Sequence, residues 1–158
     1  MAVVERLRSY LEEQGVPYEV GVHSERYTAQ EVAAVSHISG MAMAKVVMIK
    51  TSGGFAMMVL PAACRLSLQE VRHLLDDAGA TLATEAQFRA LFPDCEPGAM
   101  PPFGNLYGLP VYVDEELGQH DRITFQAGNH HEVVTMRYAD FARLVQPRLV
   151  EVCAHAAG

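Results

Sequence analysis

The stretch Met43-Ala44-Lys45-Val46-Val47-Met48-Ile49-Lys50 constrains the fold more than any other, because it is an apolar strand that holds both lysines of the sequence. In an extended chain alternate side chains face opposite ways, so Met43, Lys45, Val47 and Ile49 share one face and Ala44, Val46, Met48 and Lys50 the other. Both faces are apolar, which predicts a strand covered on both sides. Lys50 can escape at the exit, beside the turn Thr51-Ser52-Gly53-Gly54, whereas Lys45 sits inside the strand. An ammonium buried without a partner is strongly destabilising. Lys45 therefore needs a partner, a wet cleft or an anionic ligand, or it must snorkel to a sheet edge with its head in water. Arginine outnumbers lysine ten to two, so lysine is not the default cation of this chain. It is also the cation whose charge and nucleophilicity respond most to burial.

At 158 residues the chain is expected to form one domain, residues 1–158, with a single sizeable core. The formal charge of -7 argues against a protein that coats nucleic acid by bulk electrostatics. Recognition of one RNA end remains open, because it needs only a local cationic cleft, which Lys45, Arg65 and Arg72 could supply. The longest apolar run, Gly54 to Ala63, is too short to cross a bilayer and contains Pro61. With no basic-then-apolar leader at the N-terminus, a cytoplasmic address and no membrane partner are expected. Cys64, Cys95 and Cys153 are odd in number, widely spaced and in no Cys-x-x-Cys arrangement. They are expected to be small buried hydrophobes, not a disulfide framework or a thiolate zinc site.

Helical spacing of Val3, Leu7, Tyr10 and Leu11 predicts a first helix over Val3 to Gln14, stopped by Gly15. Tyr18 to Val22 reads as extended. Capping-box patterns at Thr28-Ala29-Gln30-Glu31, Ser67-Leu68-Gln69-Glu70 and Thr84-Glu85-Ala86-Gln87 predict three further helices. The first runs to about His37, the second to about Asp76, and the third ends before Pro93. Met43–Lys50 and Phe55–Leu60 form a hairpin at the centre of a sheet. Shorter strands are expected at Ala80–Leu82, Leu109–Val113, Arg122–Ala127, Glu132–Met136 and Leu149–Val152, with a helix over Tyr138–Val145. Helices that cover a sheet without alternating with every strand give the class α+β, or mixed α/β.

Between Pro93 and Gly104 the chain has four prolines and two glycines in twelve residues. This is a stiff, irregular loop, and its apolar Met100 and Phe103 suit a segment packed on the domain as a wall. Metal chemistry has candidate ligands in His120-Asp121 and His130-His131-Glu132. None has the spacing that puts two imidazoles on one helix face, and adjacent strand histidines point to opposite faces. There is no Gly-x-Ser-x-Gly elbow, Walker pattern or Gly-x-Gly-x-x-Gly. A lysine in a covered strand, a Pro/Gly wall and a glycine turn before His130 remain. They suit a pocket that works through backbone amides and one cation.

These motifs resemble the YbaK and prolyl-tRNA-synthetase-associated editing-domain family of aminoacyl-tRNA deacylases. The match lies in Ala44-Lys45-Val46-Val47 for the family's lysine strand and Gly98-Ala99-Met100-Pro101-Pro102-Phe103-Gly104 for its Gly-x-x-x-Pro loop. Phe125-Gln126-Ala127-Gly128-Asn129-His130 matches its Gly-containing turn, and Thr28-Ala29-Gln30-Glu31-Val32-Ala33 gives a softer match in the second helix. The set runs in the expected order over most of the chain.

The resemblance implies a mixed, partly closed sheet or barrel with helices packed outside. It implies a free-standing deacylase that hydrolyses the ester of a mischarged tRNA, without a metal or other cofactor. Lys45 would be the essential lysine, contacting phosphate or the acyl ester at the acceptor end. Gly98, Met100, Pro102, Phe103 and Gly104 would form the loop over the aminoacyl group, with Gly128 and His130 opposite and Thr28 as a further substrate contact. The implied partner is the aminoacylated tRNA acceptor end, with an aminoacyl-tRNA synthetase as a candidate second partner. In most members a water attacks the ester with help from the substrate's vicinal hydroxyl and from oriented backbone amides, in place of a protein general base. Met41 and Met43 before the lysine, together with Met100 to Phe103, suggest a narrow apolar pocket and a small acyl group such as alanyl, seryl, prolyl or cysteinyl. Two alternatives stay open: a non-catalytic module of the same fold that binds tRNA or an aminoacyl ligand, and a metal-dependent hydrolase built on His120 and His130.

Overall fold

The computed structural model describes residues 4–22 and 41–154. In chain order these form α1 (Glu5–Glu13), β1 (Glu19–Val22), β2 (Ala44–Thr51), β3 (Gly54–Pro61), β4 (Arg65–Leu66), α2 (Leu68–Leu75), β5 (Thr81–Leu82), α3 (Glu85–Phe88), β6 (Val111–Asp114), β7 (Arg122–Gln126), β8 (Glu132–Arg137), α4 (Tyr138–Val145), β9 (Arg148–Val150) and β10 (Cys153–Ala154). Short 3₁₀ turns occupy Arg89–Leu91, Gly104–Tyr107 and Glu115–Gln119. The helix expected from Thr28 to His37 lies outside the described residues.

The capping residues act as their chemistry dictates. Ser67 Oγ accepts from the Glu70 N–H at 3.3 Å and starts α2. At α3 both bonds of the capping box are made, Gln87 N–H to Thr84 Oγ1 at 3.2 Å and Thr84 N–H to Gln87 Oε1 at 2.8 Å. Such a cap is worth about 1 kcal/mol, which is decisive for a helix of four residues.

The hairpin of β2 and β3 pairs Ala44 with Pro61 at one end and Thr51 with Gly54 at the other. It sits inside a five-stranded sheet of order β5-β2-β3-β6-β9, antiparallel across β5-β2-β3 and parallel across β3-β6-β9. A three-stranded antiparallel sheet, β1-β8-β7, and a two-stranded ladder, β10-β4, complete the strands. Met43 bridges Thr124 of β7 in parallel, and the Thr124 N–H donates to the Ala42 carbonyl at 3.1 Å. The class is mixed α+β, as the element pattern predicts. The described strands form three sheets, two of them joined only by the Met43–Thr124 bridge, and they do not close into a barrel.

Strand parity decides the two cores. Ala44 and Met48 enter the larger one, with Met57, Val59, Phe103 and Phe125, while α1 adds Leu7 and Leu11. Ile49 enters the smaller one, with Ala56, Met58, Val71 of α2 and Val152. β2 is thus covered on both faces, the environment its sequence calls for.

Three expectations need correction. Cys64 and Cys153, 89 residues apart, form a disulfide with Cα atoms separated by 5.4 Å. Sequence spacing says nothing about this pair, because the pairing of β4 with β10 brings the sulfurs together. Cys95 is free and half-buried. The terminal strand expected over Leu149–Val152 is split, because the buried Asp114 Oδ2 accepts the main-chain N–H of Val152 at 2.8 Å and of Cys153 at 2.9 Å. The chain therefore leaves one ladder at Val150 and joins another at Cys153. Phe103 faces the interior, and Met100 reaches only the edge of a shallow depression lined also by Phe88, Phe92, Cys95 and Pro97. Both are buried in the larger core, where Phe103 packs against Phe125, Phe141 and Tyr10. The apolar side chains of this loop anchor it from behind, since burying two large apolar groups outweighs exposing them along a cleft.

Candidate active site

Lys45 lies near the start of β2, half-buried, on the face opposite Ala44 and Met48. Its Nζ donates to the Cys64 carbonyl oxygen at 2.5 Å. Burial lowers its pKa from the ordinary lysine value. Among the described residues no carboxylate pairs with it. The requirement set by the sequence is therefore met by a single carbonyl, which leaves donor capacity on the ammonium for an anionic or carbonyl ligand. Lys50 differs: its Nζ lies over the Phe55 ring, 4.9 Å from the centroid, at the far end of the strand. Arg65 is exposed directly after Cys64 and can extend a cationic surface. Arg72 is engaged elsewhere, its Nε donating to the Ala80 carbonyl at 2.7 Å.

The second part of the site is a pair of loops clamped by main-chain bonds. The Glu96 N–H donates to the Gly128 carbonyl at 2.7 Å, and the Gly128 N–H donates to the Ala99 carbonyl at 2.8 Å. Gly98 has φ +86 and Gly128 φ +102, conformations that a side chain strains. Space distinguishes them. A Cβ on Gly98 would meet His130 at an ordinary 3.7 Å, whereas one on Gly128 would lie 2.8 Å from Val4 Cβ. Gly98 is exposed, and its N–H faces Met100 Sδ at 3.2 Å, a weak acceptor.

His130 ties these loops together. Its Nε2 lies 3.0 Å from the Pro97 carbonyl and its Nδ1 3.3 Å from Gln126 Nε2. A neutral imidazole protonated at Nε2 satisfies both contacts, donating to Pro97 and accepting from the Gln126 amide. Behind it the buried Asn129 Oδ1 accepts the N–H groups of His131 and Glu132, each at 2.8 Å, which fixes the turn. Gln126 and Asn129 escaped the sequence reading as site residues. The available signal was the parity of β7, which sets Gln126 on the face opposite Phe125.

The bridge between Met43 and Thr124 aligns β2 with β7 in parallel. Hydrogen bonds unite the segments that carry Gly98, Gly128 and His130, and Lys45 lies two residues beyond the Met43–Thr124 bridge between the start of β2 and β7. Pro102 is buried within the loop, and Gly104 is buried against Val111, where both support the loop from the core side. Thr28 lies outside the described residues. Among the described residues one group of potential ligand atoms lies within 4.8 Å of one another, Cys64, Glu116 and Cys153; its two sulfurs are joined in the disulfide, and it contains neither His120 nor His130. Both ring nitrogens of His130 already face protein partners.

The sequence profile of the aminoacyl-tRNA editing domain matches residues 23–144. Over 154 residues the chain is 30% identical to the "Multifunctional Ser/Thr-tRNA deacylase ProXp-y" of Escherichia coli strain K12, covering 92% of this chain and 90% of that protein. Among solved structures, one described as a "putative trans-editing enzyme for prolyl tRNA synthetase" superposes with a TM-score of 0.85 at 20% identity, covering 98% of each chain. The hypothetical protein APE2540 superposes with a TM-score of 0.85 at 16% identity over 95% of this chain and 100% of that one.

Proposed function

The chain belongs to the aminoacyl-tRNA editing domain family, and from that premise we propose that it acts as a free-standing deacylase for tRNA mischarged with a small amino acid, seryl and threonyl esters foremost. The observation that carries this reading is the Lys45 ammonium, half-buried, held by one carbonyl and unpaired with any carboxylate among the described residues. A cation so placed binds an anionic or ester group at the acceptor end more strongly than one in open water.

An aminoacyl ester is already activated, so the protein has mainly to align water, the vicinal ribose hydroxyl and the developing oxyanion. In this reading Lys45 holds the acceptor end. The weakly satisfied Gly98 N–H is the main-chain donor toward the ester carbonyl as it gains negative charge. His130 is a positioning residue that holds the Pro97-Gly98 segment, and no proton transfer passes through it. The partner is the aminoacylated tRNA end, with an aminoacyl-tRNA synthetase as a candidate second partner. No helix among the described residues is long and apolar enough to cross a membrane.

Release of the amino acid from purified aminoacyl-tRNA tests the proposal. Catalytic turnover that is lost in Lys45→Ala supports it. Tight tRNA binding without turnover would make the chain a binding module.

A further inference from the structure

The Cys64–Cys153 disulfide is joined to the candidate active site by one atom: the carbonyl oxygen of Cys64 is the acceptor for Lys45 Nζ. We infer that Cys64 and Cys153 form a thiol–disulfide exchange site whose oxidation fixes the carbonyl that positions Lys45, so that the cross-linked form is the faster deacylase. This inference rests on the proposed role of Lys45.

The local structure explains why the cross-link matters at that carbonyl. The turn that carries Cys64 is tied to the sheet at its start, where the Ala62 N–H donates to the Met43 carbonyl at 2.7 Å and the Cys64 N–H to the Pro61 carbonyl at 3.0 Å. Beyond Cys64 the tether is the ladder of β4 with β10, two residue pairs in length, with the Ser67 N–H donating to the Val152 carbonyl at 2.8 Å beside it and Asp114 Oδ2 holding the N–H groups of Val152 and Cys153 on the β10 side. So short a ladder is marginal by itself. The disulfide makes that tether covalent and immobilises the peptide that Lys45 contacts. Opening it leaves Lys45 its acceptor but not a fixed one, and electrostatic catalysis depends on groups that need no reorganisation.

The two sulfurs differ in access. Cys64 is buried, whereas Cys153 is partly exposed and lines a cleft of about 280 Å³ with Asp114, Glu115, Glu116, Gln119 and Glu151. Cys153 is therefore the entry point. Its thiolate attacks a small-molecule disulfide to give a mixed disulfide, and the first small thiolate leaves and takes up a proton. The Cys64 thiolate then attacks the Cys153 sulfur, closing the protein disulfide and releasing the second small thiol. Two protein thiols are oxidised and one small disulfide is reduced to two thiols. The acidic lining disfavours an anionic reagent, so the cationic disulfide cystamine is the suitable probe. In a reducing compartment, such as the cytoplasm expected from the sequence, disulfides are mostly transient and redox-sensing.

The test uses the full chain, reduced with dithiothreitol or oxidised with cystamine, with chelator present throughout and the Cys64–Cys153 link verified by peptide mass. Deacylation of seryl-tRNA is expected to fall about five- to tenfold on reduction, to recover on reoxidation, and to be redox-insensitive in Cys153→Ser. Circular dichroism of the reduced chain should show retained fold. Equal activity in both states, with wild-type activity still dependent on Lys45, overturns this inference and leaves the site assignment standing. Activity that survives Lys45→Ala overturns the site assignment itself. Loss of activity that tracks loss of the folded signal overturns the inference too, because the cross-link would then be a structural staple.

Discussion

His130 Nε2 lies 3.0 Å from the Pro97 carbonyl, one residue before the exposed, positive-φ Gly98. The imidazole thus sets the position of the glycine loop and has no nitrogen turned to open solvent for proton transfer. His130→Ala is expected to lower kcat/KM about tenfold, far less than the loss of a general base on which the reaction depended. His130→Asn, which keeps a donor, should recover part of that loss. Removal of metals by exhaustive dialysis against chelator should leave the rate unchanged. Steady-state deacylation kinetics on the three proteins check both points, and a rate restored only by added zinc would contradict them.

The two lysines should separate cleanly. Lys45→Ala removes a preorganised cation and should lower deacylation about a hundredfold or more. Lys50→Ala removes a cation stacked on Phe55 at the far end of β2 and should change the rate less than about twofold. Single-turnover assays on both variants give the comparison, and similar small effects would contradict the assignment.

Burial lowers the pKa of Lys45, which fixes the sign of two pH effects. The ammonium is the binding form, so enzyme-dependent deacylation should fall as pH rises through a value below that of an ordinary lysine, about 10.4. Stability moves the other way. At pH values between the folded and unfolded pKa, the unfolded chain keeps the Lys45 proton that the folded chain has released. The destabilisation from burying the charge, present below the folded pKa, is relieved as pH rises across that window. Background-corrected rates and thermal midpoints against pH test the pair of signs, with Lys45→Ala as the control that lacks both.

Gly98→Ala and Gly128→Ala should fail for different reasons. At Gly98 the space exists and only φ +86 is strained, at a cost of roughly 1–2 kcal/mol. Activity should fall through loop displacement, with a small loss of stability. At Gly128 the same strain is joined by a contact of 2.8 Å to Val4 Cβ, so the thermal midpoint should drop further. Calorimetry beside activity resolves the two, and equal stability losses would contradict the local geometry.

Much of the fold was legible because the signals were local. Leu7 and Leu11 mark the buried side of α1, the hydroxyls of Ser67 and Thr84 mark helix starts, and the two apolar faces of β2 announce a covered strand. What failed depends on long-range geometry. Nothing in the spacing of Cys64 and Cys153 reports that β4 meets β10, and nothing beside Asp114 reports that its carboxylate will break a strand 38 residues later. Met100 and Phe103 were legible as packed, but the side they pack toward was not. Lys45 stood out in the sequence because it was a cation in the wrong place, and the structure gives it a carbonyl in place of a counter-ion.

The most direct measurement is initial-rate release of amino acid from seryl-, threonyl-, alanyl-, prolyl- and phenylalanyl-tRNA by wild type and Lys45→Ala. Turnover of the small esters is expected, seryl and threonyl foremost, with phenylalanyl-tRNA slower than each and every rate reduced about a hundredfold or more without Lys45. Fastest release of the phenylalanyl ester, or rates that do not depend on Lys45, would contradict it.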